Sequence, residues 1–126
     1  MEEALSFDGD TGPYLQYSYA RASSILRKSK KKPGLNFKIK NIDETIKLVK
    51  ILSEFPRIIE HAEEQRDPSL VAKFSFQLAQ SFNELYHHTT VIGSAQEDFL
   101  VSLTAAFKEV LKKSLNILGI ETLEEM

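Results

Sequence analysis

Two tyrosines and two arginines are the residues best placed to do chemistry. Tyr14, Tyr17 and Arg21 follow one another at i, i+3 and i+7, so on a helix they share one face, and Arg27 lies further along it. Aromatic rings and guanidinium groups can stack on unpaired bases, and the cations can contact phosphate. A plainer reading gives the same spacing: tyrosines at the edge of a core with their hydroxyls in water, and arginines simply solvated. The run Arg27-Lys-Ser-Lys-Lys-Lys32 puts five cations in six residues. It suits either an RNA backbone or a solvated helix end. Tyr86 closes another apolar helix beside His87 and His88, where its ring can pack while its hydroxyl stays wet.

Other chemistries lack their residues. The chain has no cysteine, which removes disulfides and thiolate metal ligands. His87 and His88 are adjacent, so their rings cannot share a helix face, and His61 is distant in sequence. The pairs Glu63-Glu64 and Glu124-Glu125 read as solvated faces. Gly9, Gly12 and Gly34 form no phosphate-cradling motif, and no nucleophile–base spacing stands out. No catalytic residue, cofactor-binding residue or metal ligand is expected.

These side chains need a scaffold, and 126 residues, 42% of them hydrophobic, are enough for one domain with a core. The net charge of −2 hides an asymmetry. Residues 1–50 hold ten Lys/Arg against six Asp/Glu, and residues 51–126 hold six against twelve. A polyanion would meet the N-terminal part first. No apolar run has the length of a membrane span, and no signal peptide is legible, which points to a soluble cytoplasmic protein.

The expected architecture is all-α, a bundle of about five helices. The first starts near Thr11 with Pro13 in its first turn and runs to about Lys31, with Leu15, Ala22, Ile25 and Leu26 as its apolar stripe. Pro33-Gly34 breaks it, and a connector with alternating Phe37 and Ile39 follows. Asp43 can cap a second helix holding Ile46, Val49, Ile51 and Leu52. Pro56 ends or resets that helix, and a short one spans Arg57 to Gln65. Asp67-Pro68 starts a fourth, carrying Leu70, Phe74, Leu78, Phe82 and Leu85 up to Tyr86. After a turn at Val91-Ile92-Gly93, a Ser94/Glu97 capping box opens the fifth. That helix carries Leu100, Leu103, Phe107, Val110, Leu111 and Leu118, and Gly119 stops it in the left-handed region.

The segment Phe7-Asp-Gly-Asp-Thr-Gly-Pro-Tyr-Leu-Gln-Tyr-Ser-Tyr-Ala-Arg-Ala-Ser-Ser-Ile-Leu-Arg-Lys28 resembles the arginyl-tRNA synthetase signature where the catalytic domain passes into the C-terminal anticodon-binding domain. Phe55-Pro56, Phe82-Asn-Glu-Leu-Tyr86 and Leu118-Gly-Ile-Glu-Thr-Leu-Glu-Glu-Met126 fall in the family's order and approximate spacing. The resemblance covers the whole chain. It implies a single anticodon-binding domain over residues 1–126, with residues 1–10 the tail of the junction.

It also implies an anticodon-facing loop at Ser6, Phe7, Asp8, Gly9, Asp10 and Thr11. Contact positions follow at Tyr14, Tyr17, Arg21, Arg27, Tyr86 and Met126, with Lys28 beside them on the RNA backbone. The implied partners are the anticodon stem-loop of an arginine tRNA and the catalytic domain of a longer chain, with the protein a monomer. The parent would be a class I arginine–tRNA ligase using ATP and magnesium. The motifs of that catalytic centre are absent, so Met1 reads as an artificial start, and the fragment itself should not activate arginine.

Four positions depart from the family's pattern: Tyr19 where a histidine is common, Leu100 near a usual arginine, Ser114 for a usual glycine, and Glu125 in the terminal motif. A rival reading of the bundle is a helical protein–protein interaction module with an incidental basic patch. It predicts binding indifferent to salt and to anticodon sequence.

Overall fold

The computed structural model describes residues 11–29, 43–88 and 97–124. Among them are five α-helices and no strand: α1 (Thr11–Lys28), α2 (Asp43–Ser53), α3 (Phe55–Gln65), α4 (Ser69–His88) and α5 (Glu97–Leu118). The loop at Ser6–Asp10, Pro33-Gly34 with the Phe37/Ile39 connector, the Val91–Gly93 turn, the Ser94 half of the capping box, and Glu125-Met126 lie outside the described residues.

The two longest helices, α4 and α5, carry most of the core. Phe74, Leu78, Phe82 and Leu85 of α4 face Leu100, Leu103, Phe107, Leu111 and Leu115 of α5, and all are buried. Phe82 and Phe107 stack nearly parallel, 5° apart, with centroids at 4.1 Å. Leu15, Ala22 and Ile25 lay α1 across this pair, and Leu48 closes the core from α2. Burial of a large aliphatic or aromatic side chain contributes roughly 1.5–3 kcal/mol, so this cluster holds the bundle together.

One helix presents a different face from the one the sequence suggested. Ile46 and Val49 of α2 are 50% and 44% exposed, while Thr45 and Leu48 are buried. The apolar residues of α2 span more than half of the helix circumference, so composition alone cannot choose the inner stripe. Packing selects Thr45, Leu48 and Leu52, which lie at i, i+3 and i+7.

Helix ends follow local chemistry. Pro56 resets the chain instead of ending it: α3 begins at Phe55, with only Glu54 between it and the end of α2, and Pro56 sits in the first turn where its missing N–H is harmless. At the other end Arg66 takes a left-handed conformation, φ 52°, and the amides of Arg66 and Asp67 return to the carbonyls of Glu63 and Ala62. The Asp67 carboxylate accepts the Ser69 amide at 3.0 Å and opens α4. Gly119, φ 76°, closes α5 as expected, with Ile120 N donating to the Leu115 carbonyl at 2.9 Å and Gly119 N to that of Asn116 at 3.2 Å. This paired closure reverses the chain.

Four of the buried mid-helix hydroxyls are satisfied at home. Ser18, Ser75, Thr104 and Ser114 each donate to the carbonyl four residues back. Ser114 therefore replaces a glycine without leaving a polar atom unpaired, and Leu100 stands 1% exposed in the core.

Candidate nucleic-acid interface

Residues 17, 20, 21, 24, 27 and 28 occupy one face of α1, and Tyr86 closes that face from the last turn of α4. Together they line an open cleft of about 640 Å³. Among the described residues its walls carry three cations, Arg21, Arg27 and Lys28, two tyrosines and no carboxylate. Fixed positive charge in a concave surface draws a polyanion toward that place on the surface even though the chain is net negative.

Arg21 is the centre of the cleft. Its Cζ lies 4.2 Å from the Tyr86 ring centroid and 5.8 Å from that of Tyr17. Its Nη1 donates to Asn83 Oδ1 at 2.8 Å. Tyr86 is held in turn by Phe82 one turn back, the rings parallel within 5° and 6.0 Å apart. Tyr17 is 47% exposed, the most open aromatic ring of the site.

The C-terminal tail forms a rim. After the reversal at Gly119 it runs along α1, with Gln16 Nε2 donating to the Glu121 carbonyl at 2.9 Å and Arg27 Nη1 to the Glu124 carbonyl at 3.1 Å. Lys108 of α5 donates to the Glu124 carboxylate at 3.2 Å and sits 5.3 Å from the Tyr19 ring centroid. Burial raises the Tyr19 phenol above its ordinary value, and its hydrogen bond to the Glu124 carboxylate adds to that. For Glu124 itself burial raises the carboxyl, but the hydrogen bonds from Lys108 and Tyr19 outweigh it and hold the group low. Tyr19 is thus a buried strut under the tail.

Tyr17, Arg21 and Arg27 therefore share a face as their spacing suggested, Lys28 lies beside them, and Tyr86, which only the resemblance had brought in, joins them from α4. Tyr14 does not line the cleft. Its ring packs on the core edge and beside Phe76, centroids 5.4 Å apart, and its hydroxyl accepts a hydrogen bond from Asn83 Nδ2 at 3.0 Å. Thr11 is the first residue of α1. Ser6, Phe7, Asp8, Gly9, Asp10 and Met126 lie outside the described residues, though Glu124 brings the chain to the cleft wall at Arg27. Sequence reasoning missed Ala20 and Ser24, which floor the cleft, and Asn83. An asparagine in the middle of a helix is a poor helix former, and that was the available signal for Asn83. Among the described residues no cluster of three His, Asp or Glu side chains could hold a metal, and no helix is long and apolar enough to cross a membrane.

The described residues thus form an all-α bundle with an aromatic and cationic cleft beside the returning tail. The chain belongs to the DALR anticodon binding domain family, whose profile matches residues 15–126. Arginine–tRNA ligases of Streptococcus pneumoniae, strains Hungary19A-6 and CGSP14 among them, are 44% identical over 129 residues, covering 100% of this chain and 23% of the relative. The chain thus spans about a quarter of the length of these relatives. The Thermus thermophilus arginyl-tRNA synthetase structure superposes with a TM-score of 0.85 at 34% identity, over 99% of this chain and 23% of that one. A Campylobacter jejuni chain described as an arginyl-tRNA synthetase shares the fold, with a TM-score of 0.81 at 23% identity over 93% of this chain and 27% of its own.

Proposed function

We propose that this domain binds the anticodon stem-loop of an arginine tRNA and positions it for a catalytic domain in a longer protein, an ATP- and magnesium-dependent arginine–tRNA ligase of the cytoplasm acting as a monomer. The observation that carries the reading is the cleft in which Tyr17, Arg21 and Tyr86 meet beside Arg27 and Lys28.

Arginine codons are CGN and AGR, so the middle anticodon base is always cytosine. An unstacked cytosine enters between Tyr17 and the Arg21–Tyr86 pair, where ring and guanidinium faces both offer stacking. Arg27 and Lys28 take the flanking phosphates, which gives affinity and orientation more than base identity. Base identity would come from backbone and side-chain groups at the positions the family resemblance implies, the segment Ser6–Thr11, Tyr14 and Met126 included. The chemistry supplied by ATP belongs to the catalytic portion of the relatives, and this domain contributes binding and placement.

The test is a binding titration with a transcribed arginine tRNA and the same tRNA with its middle anticodon base changed. The reading requires tighter binding of the cytosine form and weakening with added salt. Equal binding of both, insensitive to salt, would refute it in favour of a protein-interaction module.

A further inference from the structure

Asn83 makes three hydrogen bonds at once, and their directions are fixed by elimination. The Ser18 hydroxyl spends its proton on the Tyr14 carbonyl, 3.0 Å away. Toward Asn83 it can therefore only accept, which places the amide nitrogen at 2.9 Å from it. The second N–H of that nitrogen goes to the Tyr14 hydroxyl at 3.0 Å. The amide oxygen must then face Arg21, and a guanidinium has only donors to offer it, at 2.8 Å. Ser18 is wholly buried and its backbone is inside α1, so the anchor is rigid. Asn83 lies one turn before Tyr86 on α4, so the residue that grips Arg21 shares a helix face with the ring beneath it.

We propose that Asn83 is a positioning residue for the cleft, holding the Arg21 guanidinium over the Tyr86 ring in advance of the ligand; this rests on the reading of the cleft as an RNA site. A free arginine must be ordered when RNA binds, and presetting it removes that loss. The chemistry of the grip matters as much as its geometry. A carboxylate in this place would hold Arg21 equally well but cancel its charge. The neutral amide oxygen fixes orientation and leaves the full cation for phosphate or base.

Two variants separate these roles from simple bracing of α1 against α4. In Asn83→Ala, Arg21 is released. Its Nε–Hε signal, displaced by the Tyr86 ring in the RNA-free wild type, should move to the position seen in Tyr86→Ala, and RNA binding should weaken about tenfold. Combined with Arg21→Ala, Asn83→Ala should add no further loss. In Asn83→Asp, the ring-displaced signal should persist, while RNA binding weakens and the log–log salt slope falls by about one unit. The proposal is overturned if folded Asn83→Ala keeps the displaced signal, if its binding loss adds in full to that of Arg21→Ala, or if Asn83→Asp binds RNA as the wild type does. The RNA-free signal judges the positioning of Arg21 even where the wild type binds no RNA, an outcome that would sink the reading of the cleft instead.

Discussion

Replacing Tyr86 by alanine tests the cleft most directly, because this ring is both part of the structure and part of the surface. It is half-buried, lies parallel to Phe82 and carries Arg21 on its outer face. Losing the ring contact with Phe82 removes about 1 kcal/mol. Losing the partly exposed cation–π contact removes about 1 kcal/mol more, and lost burial of the ring a further ~1 kcal/mol. Partial relaxation of neighbours returns some of this, so the expected loss of stability is about 2–3 kcal/mol. For a domain of this length that lowers Tm by roughly 10 °C. Without the ring behind it, Arg21 no longer holds its guanidinium face ready for an RNA base, which takes about 1–3 kcal/mol from binding, or roughly 5- to 150-fold in Kd. Both quantities are measured on the same preparation, Tm by circular dichroism and Kd by anisotropy of a labelled anticodon stem-loop well below the transition. Tyr86→Phe is the control and should match the wild type within about 0.5 kcal/mol in stability, since among the described residues no hydrogen bond of its hydroxyl figures in the site. A folded Tyr86→Ala protein whose Kd stays within about twofold of wild type would refute the stacking argument.

Arg27→Ala should flatten the salt dependence of RNA binding by about one log–log unit and speed amide exchange in residues 121–124, which it anchors; an unchanged slope would move the phosphate contact elsewhere. Leu48→Ala should destabilise by about 2–5 kcal/mol, whereas Ile46→Ala should stay within about 0.5 kcal/mol of wild type in a urea titration. Hydrogen bonds from the Ser69 hydroxyl and amide hold the Asp67 carboxyl below its ordinary value, and Glu124 is held low by Lys108 and Tyr19 against the effect of burial. On acidification the unfolded chain takes up these protons first. The associated stability is therefore complete above the ordinary carboxylate range and is lost as pH falls through about 4 toward the folded values. Melting curves between about pH 6 and pH 3 should show a shallower acid decline for Asp67→Asn.

What the sequence announces depends on how local the cause is. The starts at Thr11, Asp43 and Asp67 and the stop at Gly119 are set by residues within one turn, and the helices begin and end within a residue or two of them. The stripe on α2 is set by neighbours far along the chain, and so Leu48 went unmarked while Ile46 and Val49 were favoured. At the site, i, i+3, i+7 spacing was enough to unite Tyr17 and Arg21. That Tyr14 turns to the core, that Asn83 grips Arg21, and that Tyr86 arrives from α4 depend on how α1 crosses α4, which no local pattern encodes. The family signature supplied Tyr86 where periodicity could not.

The reversal at Gly119 also sets an order of events. Gln16 waits for a partner 105 residues away, at Glu121. A ribosome makes the floor of the cleft, on α1, before the rim. Pairing across so long a gap is slow in an open chain, but once α1 and α5 have packed, only the few residues after Gly119 remain to be placed. The rim then closes late and, held mainly by exposed hydrogen bonds, reopens first. A nascent domain would thus have its cations in place before its border, and a mature one would exchange the border many times between global unfoldings, leaving the Arg21–Tyr86 floor undisturbed.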